Sequence, residues 1–272
     1  MERNVTRGAS LSTPIKERSM LARVAALAVF VLAPVFPALA QPSAVAEINF
    51  QTPKSGMSQQ YEAARKKHNG WHKSQKDAWS WYTWEVVSGP RTGTYVTGTF
   101  GHDWKDFDTR GKFNEADLAE FQTSVGPSLA NAYTSYYVTR ADISLTPPSP
   151  GGSPAAMSSI TLFHLKPDSV NDFIDAAKKI NEGIKKTNYA VPGPSRWFQL
   201  VNGGEGPLFV LSGDRANWAA FQANEKTLDV MMEEAYGKEQ GAATLASLRK
   251  AVHTIATEII RYRPDLSYVP AK

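Results

Sequence analysis

Residues 63–74 read Ala-Ala-Arg-Lys-Lys-His-Asn-Gly-Trp-His-Lys-Ser, and 113 positions later residues 176–187 read Ala-Ala-Lys-Lys-Ile-Asn-Glu-Gly-Ile-Lys-Lys-Thr. The Ala pair, a Lys, the Gly, a second Lys and the terminal hydroxyl keep register. Three further matches extend the pattern. Trp84 and Trp197 share the offset of 113, Trp104-x-x-Phe107 pairs with Trp218-x-x-Phe221 at 114, and Arg140-x-Asp142-x-Ser144 pairs with Arg263-x-Asp265-x-Ser267 at 123. A chain built this way folds as one unit used twice, so each motif has to be read in both copies.

The local patterns give each copy the same order of elements. In the first, residues 46–50 read as a strand. Met57, Tyr61, Ala64, His68 and Trp71 form a helical stripe, with Arg65, Lys66 and Lys73 lying off it. Residues 79–87 and 94–100 read as strands about a Gly-Pro turn, a helical region follows from Trp104 through Thr123, and 136–145 read as the closing strand. In the second, strands are expected over 160–165, 196–201, 208–211 and 258–262. Helices are expected over 170–184, from Trp218 to Tyr236, and over 242–253. The order β-α-β-β-α-β is the split βαβ, or ferredoxin-like, arrangement, so the fold class is α+β with two tandem units. Residues 41–146 form the first unit and 155–272 the second. Residues 147–154, only Pro, Ser, Gly and their like, join them as a linker.

A sheet covered by helices on one side and by water on the other alternates apolar with polar residues. These strands do not: Trp81, Tyr82 and Trp84 put rings on both faces, and residues 208–211 are apolar throughout. Both faces must be buried, most simply by pairing the two sheets as an intramolecular α+β barrel.

With its two βαββαβ units and two W-x-x-F helix starts, the chain resembles the dimeric α+β barrel superfamily in tandem form. That group includes antibiotic-biosynthesis-type monooxygenases, stress-responsive barrel proteins, NIPSNAP-like proteins and heme-using, chlorite dismutase-like relatives. The reading is an exported protein that binds a small, largely apolar or aromatic molecule in a cavity within one unit; a cofactor-independent monooxygenase, a heme-binding protein and a structural or partner-binding module are the alternatives. No catalytic motif of any member matches residue by residue, so whether the chain is an enzyme stays open.

Residues 1–40 look like an export signal: an apolar run over 21–36 behind Arg18 and Arg23, then Ala38-Leu39-Ala40 as a cleavage site before Gln41. Met20 is an alternative start. Export to the periplasm or the extracellular space is the expectation, with no membrane anchor after cleavage. Without residues 1–40 the chain keeps 25 basic and 24 acidic side chains, so nothing electrostatic favours a nucleic-acid partner. No Cys exists, which removes disulfides, thiolate metal sites and Cys nucleophiles. The oligomeric state is left as monomer or homodimer.

Candidate site residues concentrate in the first unit, which holds three of the five His and five of the seven Trp. His68 lies on the helical stripe where Asn181 stands in the second copy. It is either a satisfied core histidine or a general base facing a cavity between helix and sheet. Trp71, Trp84, His102 and Trp104 are candidate ligand contacts, with Trp104 and its partner Trp218 equally readable as core. Arg140 and Arg263 form i, i+2 pairs with Asp142 and Asp265. These pairs either bind an anion or fix a strand end against the neighbouring unit. His68 and His72 are spaced i, i+4, but His72 matches Lys185 and reads as solvated, so no metal site and no cofactor is expected. His164 is the residue a heme reading would use, and His253 reads as a helix end.

Overall fold

A computed structural model describes residues 44–146 and 153–271. The segment expected to be an export signal and most of the expected linker lie outside the described residues. Eight strands, β1 (Val45–Pro53), β2 (Tyr82–Ser88), β3 (Tyr95–His102), β4 (Leu129–Thr139), β5 (Met157–Leu165), β6 (Ser195–Asn202), β7 (Leu208–Arg215) and β8 (Val252–Tyr262), form one closed antiparallel barrel. Its order is β1-β3-β2-β8-β5-β7-β6-β4. Each unit contributes four consecutive staves, and the two seams between units are β2–β8 and β4–β6. Trp84 pairs with Tyr262 at one seam and Thr139 with Phe198 at the other. Closure leaves no open sheet edge, which explains why both strand faces are apolar.

Helices cover the outside. The first unit carries α1 (Ser58–Ser74), α2 (Trp104–Thr109) and α3 (Gly111–Ser124), and the second α4 (Val170–Lys186), α5 (Leu228–Tyr236) and α6 (Lys238–Ala251). The two outer layers differ in chemistry. Helix α4 buries Phe173, Ala176, Ala177, Ile180 and Gly183, and packs on Trp197, Phe209 and Ile143. At about 1.5–3 kcal/mol for each large apolar side chain, that face anchors the second unit by burial alone. Helix α1 instead buries Tyr61, Arg65, His68 and His72. Its inward face is therefore turned by about one residue from the expected stripe, and Arg65, expected in water, is only 2 % exposed.

Other expectations shift too. β4 runs over 129–139 instead of 136–145, so Arg140 and Asp142 sit in the turn beyond the strand, not on its face. Only 228–236 of the helix expected from Trp218 is α-helical, with a short 3-10 turn at Trp218–Phe221. β8 starts at Val252, which places His253 at an exposed strand start and not at a helix end. Trp104 and Trp218 are not core: they are 43 % and 62 % exposed. Among the described residues, no helix is long and apolar enough to cross a membrane.

Candidate functional site

Alternation along each strand sends every second side chain into the barrel. Ile48, Tyr82, Trp84, Val96, Phe100, Ile160, Leu162, Phe198 and Val210 all reach the interior, where they line a cavity of about 770 Å³. Aromatic rings cluster on part of the wall. Trp84 meets Phe100 edge to face at 6.0 Å and Tyr262 at 5.9 Å, while Phe100 lies 6.1 Å from Phe198 across the barrel.

The charged groups lining the cavity are paired. Arg91 grips Glu258 through Nε at 2.8 Å and Nη2 at 2.7 Å, with its guanidinium 4.6 Å from the Phe50 ring. Arg196 donates to Asp214 at 3.0 Å. Gly89 makes the first pair possible: at φ +111° a Cβ there would lie 2.8 Å from both Glu258 Cγ and Thr257 O. With the charges matched inside the protein, the remaining surface offered to a guest is largely apolar, with Ser and Thr hydroxyls and His102 set into it.

At the cavity wall, His102 stacks on Trp79 with centroids 3.7 Å apart, and its Nε2 lies 2.6 Å from Thr99 Oγ1. Burial lowers the His102 pKa below the ordinary imidazole value, so the ring is neutral near pH 7. Trp79 stands at the start of the strand expected over 79–87. Arg91, Glu258 and Phe198 had no sequence signal, because their meeting depends on barrel closure.

The candidate residues therefore separate. Trp84 and His102 line the cavity; His68, Trp71 and Trp104 do not. Arg140 binds Asp142 through Nε at 2.8 Å and Nη2 at 2.7 Å, and Arg263 binds Asp265 at 3.0 Å through both. Beside these forks the Ser144 hydroxyl donates to Arg140 O and accepts from Trp197 N–H. Ser267 does the same between Arg263 O and Thr83 N–H. The repeated Arg-x-Asp-x-Ser motif is thus a latch at each seam between the units, and its Arg is committed to carboxylates. The same symmetry makes Trp197 the counterpart of Thr83, not of Trp84. Trp197 packs under α4 and Trp84 faces the cavity, so their shared offset is not structural equivalence.

His68 has become part of a buried cluster between α1 and α3. Its Nδ1 contacts Glu120 Oε2, and its Nε2 lies 3.2 Å from Asp117 Oδ1 and 3.1 Å from His72 Nε2. His72, expected in water, is 1 % exposed, with Nδ1 at 2.9 Å from Asp77 Oδ2. Burial alone would raise the Asp77 pKa, but hydrogen bonds from His72, Arg110, Trp79 N–H and Trp81 Nε1–H hold it well below the usual carboxylate range. A general base facing a cavity is not what this geometry makes of His68. The sequence reading overlooked Asp77, Asp117 and Glu120; polar residues on a buried helical stripe were the signal that such partners exist.

Heme, which the heme-using members of this fold imply, does not fit these residues. His102, the cavity histidine, lies flat on Trp79 with its Nε2 engaged, and His164 does not line the cavity. The corresponding space beneath α4 is filled by Phe173, Trp197 and Phe209.

No protein-family profile matches the sequence, and no curated protein matches it. Solved structures do match in shape. An anthrone oxidase-like protein is similar at 14 % identity and a TM-score of 0.50, over 82 % of this chain and 92 % of the other. A protein from Fusobacterium nucleatum, provisionally assigned as a monooxygenase, is similar at 10 % identity and 0.51, over 82 % and 93 %. A chlorite dismutase variant from Candidatus Nitrospira defluvii, solved with cyanide, is similar at 5 % identity and 0.51, over 83 % and 93 %. All three have the dimeric α+β barrel fold, and this chain shares it. At these identities the likeness is one of fold alone.

Proposed function

We propose that this chain is a small-molecule-binding α+β barrel protein whose interior cavity takes a flat, largely apolar ligand. The observation that carries this reading is the cavity itself. It has about 770 Å³ of space, aromatic walls from Tyr82, Trp84, Phe100 and Phe198, and charged groups already paired with one another. Binding pockets for small organic molecules typically occupy roughly 300–1,000 Å³ and are mainly apolar, with few polar groups to set orientation. Ring-on-ring contacts of the kind these walls offer add about 0.5–1.5 kcal/mol each beyond area burial. Anilinonaphthalene sulfonate is a suitable probe. It should bind saturably at one site per chain and quench tryptophan emission through Trp84. Val210→Trp, which puts a bulky ring into the cavity, should weaken the signal while the far-ultraviolet spectrum is kept. Equal binding by the variant would refute the reading.

His102 favours a second reading, in which the bound molecule also reacts. With Nε2 on Thr99, the Nδ1 of this neutral imidazole at the cavity wall is the atom to take a proton from an activated ring carbon. The anthrone oxidase-like neighbour suggests the substrate type. One anthrone and one O2 give one anthraquinone and one water, which balances without a cofactor. Oxygen uptake with anthrone, lost in His102→Ala with binding retained, would support it. No uptake by the intact protein would leave binding as the whole function.

A further inference from the structure

We propose that His68 Nε2, His72 Nε2 and Asp117 Oδ1 form a site for one divalent first-row transition-metal ion, with Zn2+ as the reference case. His68 Nδ1 faces the carboxylate of Glu120, and His72 Nδ1 faces that of Asp77. An ionised carboxylate only accepts, so each Nδ1 carries the hydrogen, and a ring with that single proton presents a lone pair at Nε2. The two Nε2 atoms lie 3.1 Å apart, with Asp117 Oδ1 at 3.2 Å from one and 3.5 Å from the other. Three acceptors therefore converge with no donor among them. Asp117 Oδ1 is buried and makes no hydrogen bond, and the buried Nε and Nη2 of neighbouring Arg65 make none either.

The spacing is that of a coordination face. Zn2+ bonds to imidazole nitrogen and carboxylate oxygen run about 2.0–2.2 Å, which makes the edge of a tetrahedral site about 3.3 Å. The observed edges of 3.1, 3.2 and 3.5 Å bracket that value. The outer groups are also in place: metal-bound histidines characteristically donate their second ring N–H to a carboxylate, as Glu120 and Asp77 allow here. Asp77 is itself fixed by Arg110 at 2.6 Å and Trp81 Nε1 at 3.0 Å. Three carboxylates, Asp77, Asp117 and Glu120, face two guanidiniums, Arg65 and Arg110, which leaves a negative balance for a cation to offset. The Asp117 side chain keeps 20 % exposure, so the cluster lies close to solvent on that side. Because Asp77 also accepts from Trp79 N–H, an ion held here would brace a wall of the barrel cavity.

The test uses the full chain, stripped with a chelator, dialysed and titrated with Zn2+ by calorimetry and with Co2+ by visible absorption. One saturable site per chain, and a d–d band for Co2+, are expected. Asp77→Asn should weaken Zn2+ binding by about 10–100-fold, the usual effect of losing a carboxylate behind a histidine ligand. Asp117→Asn and His72→Gln should each weaken it more than that. Should His72→Gln fail to fold, Asp117→Asn, of equal size and partly exposed, decides alone. Absence of saturable binding by the intact chain would overturn the proposal, and the two histidines would then share a proton. Undiminished binding by Asp117→Asn would overturn it as well.

Discussion

Gly70 and Gly183 occupy the same position in the two copies, yet they are glycine under different constraints. A Cβ at Gly183 would lie 3.1 Å from Met231 Sδ, 3.2 Å from Met232 Sδ and 3.2 Å from the Tyr236 ring, whereas one at Gly70 would meet nothing within 4 Å. Both lie inside helices, where Gly is worse than Ala by about 0.5–1 kcal/mol. Gly70→Ala should therefore raise unfolding stability by about that amount, while Gly183→Ala should lower it by about 1–3 kcal/mol through overpacking. Urea midpoints of the two variants check the opposite signs. The duplication was legible at these residues, but its reasons were not. An i, i+4 histidine beside lysines reads as surface in sequence, and only the folded chain brings Asp77, Trp81 and Tyr268 around His72.

Among the elements, the strand ends carry the clearest consequence. Arg263 binds Asp265 and, through Nη1 and Nη2, both oxygens of Glu62 on α1. Its hydrogen bonds lower the Asp265 pKa to about 2 and depress Glu62 as well. Carboxylates with depressed folded pKa values stabilise the fold above their unfolded values, near 4, and lose that contribution as pH falls through the folded value. The gap in stability between the intact chain and Arg263→Met should thus be full at pH 6 and shrink between about pH 5 and 2. Because Asp265 is well exposed, that pair contributes below about 1 kcal/mol. Denaturant unfolding at pH 6, 4 and 2.5 measures it. The sequence marked this motif as important through its repetition. It misplaced the motif on the strand, since Leu129–Tyr133 is too polar and small-residued to read as one.

At the scale of the molecule, the β-α-β-β-α-β order was readable twice over, and apolar residues on both strand faces required that the two sheets share an interior. Which edges join was not readable, because the seams β2–β8 and β4–β6 link residues more than 50 positions apart. Nor was the cavity, whose walls come from all eight strands. The placement of a guest inside the barrel tests the account most directly, through crystals soaked with anilinonaphthalene sulfonate. The account predicts density for the dye inside the barrel, against Trp84 and Phe198. Dye bound only on the outer surface or under the helices, with the barrel interior unchanged, would contradict it.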